Sequence, residues 1–495
     1  MFGFSPGSNL RSSFAARDGN EGCKSPPSSR TLVRTPSLVL PKSLVLSLLG
    51  SPPSSLESPS TPGFTSTLLS SKFLLQSCLE CLVVAPAISV NSSGSLKVDE
   101  GPESLAPVSI TNAKSHVRNV FNVMSYGAVA DGKTDNSKAI FDAWTHACQS
   151  VGGGMVLIPK GTYLVNPVVL KGTCKGQMVF FLQGDLKAPT DQKSWDDIDH
   201  WITFQYVDNF VMSGGGSLDG QGASAWPYNT CNKDSHCKKL PVSLRLDFVN
   251  NAWISYIKLI NSKNFHMNIF ACNNIKLEHM HIMAPGDSPN TDGIHIALST
   301  GIKVWDSIIS TGDDCLSFGP GMKDVDIWKV QCGPGHGISI GSLGSSPNEK
   351  DVQGFIVRNS RFIGTQNGVR IKTWALPHAS NVYNITFRRI IMQNVANPIV
   401  IDQEYCPSGK CNPQGSSQIQ IRDVKFMNIW GTSSSKVAVN LDCSKGKPCQ
   451  QIVLKDIYLA YKGKDGPAIS QCSNVNGVSY GKLQPPSCIQ KSQSN

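Results

Sequence analysis

The sequence contains no uninterrupted run of about 18 apolar residues, so a transmembrane helix is not expected. Charged residues make up only 16% of the chain, which excludes a coiled coil, and a hydrophobic content of 40% excludes disorder throughout. Motifs that interleave aromatic and basic residues for nucleic-acid binding are also lacking. What is present is a chain of 495 residues, rich in turn formers with 44 Gly and 30 Pro, that is long enough to bury a large core.

Serine and proline are concentrated at the start of the chain, over residues 1–70. Such a composition buries little apolar surface, so we expect residues 1–115 to form a poorly structured leader and residues 116–495 to form the globular domain. Within the leader, Phe73–Val90 resembles a secretory signal peptide but lies far from the N-terminus. A misassigned upstream exon explains this position, and an organelle transit sequence is the alternative. The cysteine content favours the first explanation.

The chain carries a net charge of +10, which suits an anionic partner. Charge alone does not distinguish an acidic polysaccharide from nucleic acid or anionic lipid. Because neither a nucleic-acid motif nor a membrane segment is found, we expect an acidic polysaccharide and no nucleic-acid or membrane partner. We expect the protein to be a monomer.

Sixteen cysteines are many for a cytosolic protein and indicate an oxidising compartment. Several of them form pairs at short spacing: Cys231 with Cys237, Cys315 with Cys332, Cys406 with Cys411, Cys443 with Cys449, and Cys472 with Cys488. A zinc site is the alternative, but these pairs lack the spacing of zinc knuckles and no histidine cluster accompanies them. We therefore expect disulfides and a secreted protein, although spacing alone does not fix the connectivity.

One apolar pattern recurs from residue 250 onward, with apolar residues at an anchor position, two before it and five after it. Alternation with a period of two is typical of a strand, and recurrence every 23 to 34 residues is typical of one solenoid coil per repeat. A β-sandwich requires more closely spaced antiparallel strands, and a leucine-rich repeat requires a consensus that is not found. We therefore predict an all-β, single-stranded parallel β-helix. The anchors are Ile254, Leu277, Val304, Ile327, Val357, Phe387, Ile421 and Leu454.

An amphipathic helix is predicted between Asn136 and Ser150, before the repeats begin. Its apolar positions recur at helical spacing, and a strand-like run, Met155–Ile158, follows it. An uncovered end of a solenoid is an aggregating edge, so we expect this short helix to cap the N-terminal end of the β-helix. The apolar positions are Ala139, Ile140, Ala143, Trp144 and Ala147.

Four polar motifs lie at corresponding places in consecutive coils. Aligning the apolar residues that must face the core places Asp292, Asp314 and His336 in one column, with Asp313 one residue away. Stacked strands lie about 4.8 Å apart, so the column is expected to form a compact cluster. The motifs are Asn-Thr-Asp-Gly-Ile at 290–294, Gly-Asp-Asp-Cys-Leu at 312–316, Gly-His-Gly-Ile at 335–338, and Asn-Gly-Val-Arg-Ile-Lys at 367–372.

Each of these polar residues has an ordinary structural explanation when it is taken alone, as a turn residue or a satisfied surface group. Three carboxylates on adjacent coils are different, because their mutual repulsion costs stability and raises the pKa of at least one of them. Acid–base catalysis requires such an arrangement. In the fourth motif the strand alternation sends Arg370 and Lys372 to the same surface, where they suit a substrate carboxylate.

Together the motifs resemble glycoside hydrolase family 28, the polygalacturonases. The likeness runs from about Val120 to Cys488 and includes Leu-Asp-Gly-Gln-Gly at 218–222. The resemblance implies a right-handed, pectin lyase-like solenoid that hydrolyses α-1,4-galacturonosyl linkages in pectin with inversion, without a metal or another cofactor. It also implies an extracellular protein that acts in the cell wall.

The resemblance implies a role for each polar residue. Asp313 is the general acid that protonates the leaving oxygen, and Asp292 and Asp314 orient and deprotonate the attacking water. Inversion requires acid and base carboxyls roughly 6.5 to 9.5 Å apart. His336 tunes Asp313 or holds the substrate.

Four further residues are implied to bind the substrate. Arg370 and Lys372 contact the galacturonate at the cleavage point, and Asn290 and Tyr405 also contact the sugar chain.

The mode of attack is expected to be exo. After the Arg-Ile-Lys-Thr-Trp segment, many endo-acting relatives have a glycine-rich turn, whereas this chain has 375–380, Ala-Leu-Pro-His-Ala-Ser. That segment, Asp-His-Trp-Ile at 199–202 and the loop from Cys231 to Cys237 resemble plant pollen-type exopolygalacturonases. Endo action remains the alternative, because the shape of the loops decides it.

Two other functions are compatible with parts of the sequence. A pectate lyase also uses a parallel β-helix and binds calcium through acidic residues, so the aspartates alone could form a calcium site. A non-catalytic pectin-binding solenoid would bind substrate without cleaving it. The four intact motifs favour the hydrolase over both alternatives.

Overall fold

The computed structural model describes residues 119–196, 198–229, 238–407, 411 and 415–489. All of these belong to one compact unit. The predicted leader, residues 1–115, and the pair Cys231 with Cys237 lie outside the described residues. No helix in the described ranges is long and apolar enough to cross a membrane.

Short strands follow one another along the described chain, because apolar side chains alternate with polar ones between turns. The first strands are β1 (Val120–Asn122), β2 (Asp131–Asp135), β3 (Gly152–Ile158), β4 (Thr162–Leu164), β5 (Val168–Lys171), β6 (Gly176–Leu182), β7 (Asp185–Lys187), β8 (His200–Gln205), β9 (Asp208–Ser213), β10 (Ser217–Asp219), β11 (Val242–Asp247), β12 (Asn250–Ser255), β13 (Lys258–Ile260), β14 (Met267–Phe270), β15 (Asn273–Glu278) and β16 (His281–Met283).

The remaining strands are β17 (Ile294–Ala297), β18 (Thr300–Trp305), β19 (Ile308–Ser310), β20 (Leu316–Phe318), β21 (Lys323–Trp328), β22 (Gln331–Cys332), β23 (Ile338–Leu343), β24 (Val352–Arg358), β25 (Arg361–Ile363), β26 (Asn367–Trp374), β27 (Ala379–Val395), β28 (Asn397–Tyr405), β29 (Gln418–Ser433), β30 (Val437–Asp442), β31 (Cys449–Tyr461), β32 (Ile469–Ser473) and β33 (Val475–Gln484). Single turns of 3-10 helix lie at Val123–Tyr126, Gln192–Trp195, Gly222–Ser224 and Trp226–Tyr228.

The strands of the described residues form two parallel sheets, one of 22 strands and one of 11. A typical coil places two strands in the larger sheet and one in the smaller, as β12, β13 and β14 do. Each strand pairs with the equivalent strand of the next coil, so that Leu277 lies beside Val304, and Val304 beside Ile327. The predicted parallel β-helix is therefore confirmed.

One predicted anchor is wrong. Phe387 pairs with Phe426 rather than with Ile421, and Phe426 pairs in turn with Leu454. Ile421 is also buried, but it pairs with Val382, five residues before the anchor of its own coil. The predicted anchor lies five residues too early because β27 and β29 are long strands, and their buried residues satisfy the apolar pattern at two offsets.

The predicted cap is confirmed as helix α1, Ser137–Gln149. Its five predicted apolar positions are all buried and join the continuous core of the solenoid. Trp144 packs against Phe204 and Phe210 inside the coils, with ring centroids 5.2 and 6.1 Å apart. The helix therefore covers the apolar interior at the end where the coils begin.

Five disulfides link described residues: Cys148–Cys174, Cys315–Cys332, Cys406–Cys411, Cys443–Cys449 and Cys472–Cys488. Four of them confirm predicted pairs, which removes the zinc alternative for those cysteines. Cys148–Cys174 was not predicted, because its partners are separated by 26 residues and meet only when α1 packs beside the first coils.

Candidate active site

The polar motifs meet on the outer face of the smaller sheet, at the corner where each coil enters it. Ile294, Leu316, Ile338 and Val369 pair in sequence and are buried, as the alignment of the motifs predicts. Asp292, Asp314 and His336 lie two residues before the first three of these, just before β17, β20 and β23, and so occupy one column. We call the three carboxylates of this corner, Asp292, Asp313 and Asp314, the aspartate cluster.

The backbone at this corner is held in place by close packing. Asn290 has a left-handed conformation with φ of 53°, which asparagine adopts more readily than most residues. Next to Asp292, a Cβ on Gly293 would lie 2.5 Å from the carbonyl oxygen of Cys315, so only glycine fits. The imidazole Nδ1 of the buried His266 lies 3.1 Å from the carbonyl oxygen of Asp292.

Asp314 is the most strongly paired member of the aspartate cluster. Its Oδ1 accepts hydrogen bonds from Ser339 Oγ at 2.8 Å and Arg370 Nη2 at 3.1 Å, and its Oδ2 accepts one from Lys372 Nζ at 3.1 Å. Burial alone would raise the pKa of Asp314, but Lys372 and Arg370 outweigh burial and hold the pKa below its ordinary value. Asp314 is therefore ionised across the physiological range.

Asp292 has the opposite electrostatic setting. Its carboxylate is buried and accepts one hydrogen bond from Ser317 Oγ at 2.8 Å. Burial, and then the charges of Asp313 and Asp314, raise the pKa of Asp292 well above its ordinary value. The predicted rise in the pKa of at least one clustered carboxyl is thus found at Asp292.

Asp313 is the most accessible of the three carboxylates in the aspartate cluster, with 21% of its side chain exposed. His336 Nδ1 lies 2.9 Å from Asp313 Oδ1, and the backbone N–H of Asp314 donates to the same oxygen at 2.8 Å. The imidazole of His336 and the backbone N–H of Asp314 therefore hold the carboxyl of Asp313 in a fixed orientation.

The other predicted substrate-binding residues surround the cluster. Tyr405 lies beside both cations, with Lys372 Nζ 5.0 Å from the ring centroid and the Arg370 guanidinium 5.9 Å from it. Asn290 accepts a hydrogen bond from Asn229 Nδ2 at 2.9 Å. The predicted residues therefore lie side by side, from the corner that carries Asn290 and the aspartate cluster onto the strands β26 and β28 that carry Arg370, Lys372 and Tyr405.

Ser317 and Ser339 were missed by the sequence analysis. Each follows an aligned apolar residue, and each donates a hydrogen bond to an aspartate of the preceding coil. The same register could have revealed them, because the residue after each aligned apolar position faces outward beside the carboxylate of the preceding coil.

The aspartate cluster also offers ligand atoms to a cation. One potential ligand atom from each of Asp313, Asp314 and the neighbouring His336 lies within 4.8 Å of the other two. Both oxygens of Asp314, however, already contact Arg370 or Lys372, so a calcium ion there would lie beside two fixed positive charges. This donor set does not fit the calcium site of a lyase.

We expect Asp292→Asn to stabilise the folded protein at neutral pH while removing its activity. The pKa of Asp292 is raised on folding, so a stabilising contribution present below the unfolded value of 3.8 is lost as the pH rises through the folded value. Above that value the native state carries a costly buried charge, and the gain from Asn should be about 1–3 kcal/mol. Thermal unfolding at neutral and acidic pH measures it.

The pH dependence provides the control for this stabilisation. Near pH 3 the carboxyl is mostly protonated in both states, so the variant and the wild type should unfold at nearly the same temperature. A variant that is less stable at neutral pH would contradict the electrostatic account of Asp292.

Comparisons with known proteins show which family and which solved structures this chain is similar to. The model of the glycosyl hydrolases family 28 matches residues 148–488. An exopolygalacturonase from Platanus acerifolia is 47% identical over 367 residues, which cover 74% of this chain and 97% of the relative. A polygalacturonase from Gossypium barbadense is 48% identical over 366 residues, covering 74% and 89%. A solved structure, the endo-xylogalacturonan hydrolase from Aspergillus tubingensis, has a TM-score of 0.63 at 25% identity and covers 73% and 99%.

Proposed function

Since the chain belongs to the glycosyl hydrolases family 28, we propose that it hydrolyses α-1,4-galacturonosyl linkages of pectin, with inversion, and that it acts from a chain end. Pectin hydrolysis follows from the family and from relatives that are polygalacturonases. The observation that carries the catalytic proposal is the aspartate cluster, in which the pKa of Asp292 is raised and that of Asp314 is lowered. Carboxyls whose pKa values are pushed apart can divide acid and base work.

Asp313 is the general acid in this proposal. It is more exposed than Asp292 and Asp314, so it can reach a leaving oxygen, and its contact with His336 Nδ1 at 2.9 Å orients the carboxyl. Asp314 stays ionised and orients the attacking water. Asp292 is the stronger base once it is ionised and takes the proton of the water.

Arg370 and Lys372 hold the carboxylate of the sugar at the cleavage point. Both are largely buried and tied to Asp314, so they are ordered before substrate arrives and little entropy is lost on binding. Tyr405 packs against both and presents an aromatic ring to the sugar. Asn290, at the opposite side of the aspartate cluster, completes the contacts.

One hydrogen bond supports exo action. The corner segment after β10 reaches Asn290, two coils further along, through Asn229. With about 4.8 Å between coils, the segment passes the corner of the coil between them. Trp226 anchors it by donating to the carbonyl of Ser262 at 3.0 Å. This segment, residues 220–229, forms a wall beside Asp292. The wall limits how many sugars fit on that side of the cleaved bond.

Sizing the early products of polygalacturonate digestion tests the mode of attack. We expect monomer as the first product and a slow fall in viscosity. Asn229→Ala loosens the wall and is expected to add di- and trigalacturonate to the early products. A ladder of long oligomers from the wild type would contradict exo action, and unsaturated, ultraviolet-absorbing products that vanish with chelator would indicate a lyase.

The proposal also includes secretion into the cell wall and action as a monomer on pectin. Five disulfides among the described residues support an oxidising compartment. The net charge of +10 suits an anionic substrate rather than requiring a further partner.

A further inference from the structure

The outer face of the smaller sheet changes its charge immediately beyond the two cations. Lys372 on β26 pairs in register with Asp402 on β28, and Asp402 pairs with Asp442 on β30. Residues in register on adjacent parallel strands point to the same side and lie about 4.8 Å apart. The coil that carries the cations is therefore followed by two coils that each place a carboxylate on the same line.

Among the described residues, Asp402 forms no ion pair with the neighbouring cations, although the charge of Arg370 acts on it from a distance. Arg370 and Lys372 direct their ion pairs to Asp314, on the other side. Within the described part of the chain, the hydrogen bond that Asp402 accepts comes from the backbone N–H of Glu404, at 3.0 Å. Burial raises the pKa of Asp402, and the charge of Asp442 adds to this rise, whereas that hydrogen bond and the charge of Arg370 oppose it without cancelling it.

This change of sign conflicts with a fully ionised substrate. Polygalacturonate carries one carboxylate on every sugar. A chain that gives one carboxylate to Arg370 and Lys372 and continues along the groove brings its next sugar over Asp402. An ionised sugar there faces a half-buried carboxylate of the same sign, with Asp442 behind it.

We propose that Asp402, backed by Asp442, makes the position beyond the Arg370–Lys372 pair select a galacturonate whose carboxyl is uncharged, that is, a methyl ester. The preferred substrate is then partly methyl-esterified pectin, with a free carboxylate at the cation pair and an ester on the next sugar. Asp402 is a specificity-determining residue and takes no part in bond cleavage. The inference rests on the proposed function, in which the two cations hold a sugar carboxylate.

Two trigalacturonates test the proposal, one unesterified and one methyl-esterified only on the third sugar counted from the end that is released. At about pH 6, where free carboxylates are ionised, we expect the wild type to have a kcat/KM roughly tenfold higher for the ester. Asp402→Asn should raise kcat/KM for the unesterified trimer by about fivefold or more and remove most of the difference.

Asp442→Asn provides a second variant and should shift the ratio in the same direction by less, because Asp442 lies one coil further away. Asp456→Asn is the matched control, since Asp456 lies in the larger sheet away from the groove, and should leave the ratio unchanged. Melting temperatures of the variants confirm that they fold. An unchanged ratio in folded Asp402→Asn, or a wild type that prefers the unesterified trimer, would overturn the proposal.

Digalacturonate separates this inference from the proposed function. It ends at the cation pair and does not reach Asp402, so the wild type and Asp402→Asn should hydrolyse it equally. If neither the dimer nor the trimers yield monomer, the exo function itself is wrong. If all are hydrolysed with no effect of the ester, only the role of Asp402 is wrong.

Discussion

Asp313→Asn is expected to lower kcat on polygalacturonate by a factor of about 10²–10⁴, the range attributed to a positioned general acid. Asn has nearly the same shape, and its amide oxygen can still accept the hydrogen bond from the backbone N–H of Asp314. It has no proton acidic enough for the leaving oxygen. The fold, the melting temperature and the affinity for substrate should change little.

The measurement is the rate of reducing-end release, together with an independent binding assay on the same variant. Asp456→Asn is the matched control, because it makes the same substitution in a strand of the larger sheet. It should retain wild-type kcat. An Asp313→Asn variant within about tenfold of the wild type would exclude Asp313 as the acid.

Lys372→Met is expected to lower the free energy of unfolding by about 2–3 kcal/mol. Removing one partner of a buried ion pair costs about 3–5 kcal/mol when the other charge is left uncompensated, and Arg370 still contacts Asp314 here. The matched control is Lys329→Met, which breaks the exposed pair with Asp306 at 3.5 Å and should cost less than about 1 kcal/mol.

Two further measurements identify the cause of this loss. Adding Asp314→Asn to Lys372→Met should recover part of it, because the buried charge that lacked a partner is then gone. The pKa of Asp314 is lowered on folding, so its stabilisation is present above the unfolded value of 3.8 and is lost as the pH falls through the folded value. The difference between the wild type and Lys372→Met should therefore shrink below about pH 3.8. A loss that is constant with pH would indicate packing instead.

The solenoid and its end cap could be predicted from the sequence, because each depends on a local period. Strand alternation and helix α1 follow from residues a few positions apart, and the register follows from repeating them. The prediction failed at Ile421 for a related reason. β29 is sixteen residues long and its buried residues satisfy the apolar pattern at two offsets, so the pattern alone does not mark where the coil begins.

The position of the aspartate cluster was also predictable. Strands of consecutive coils pair in register, so residues at equivalent positions of the repeat become neighbours in space. The partners of the cluster were not found so readily. Arg370 and Lys372 were assigned to the substrate alone, yet both contact Asp314. Their long side chains reach back across a coil, and spacing does not encode that reach.

The contact between Asn229 and Asn290 could not be predicted for a different reason. It depends on how an irregular segment folds over the corner, and such segments carry no period. The acidic position beyond the cations was likewise missed, because only Tyr405 was assigned a role in the segment Asp-Gln-Glu-Tyr-Cys at 402–406.

The site draws its residues from consecutive coils that are joined only through their register. A whole coil inserted between β17 and β26 would preserve every local strand and still separate the acid from its partners, so the order of these coils is fixed during divergence. The corner segments carry no such constraint, because their length does not alter the pairing of the strands. Corner segments can therefore differ between family members while the catalytic residues keep their positions. Product pattern or ester preference can then change during evolution without a change in the catalytic residues. A chimera that exchanges residues 220–241, which connect β10 to β11, between family members is a natural unit of redesign.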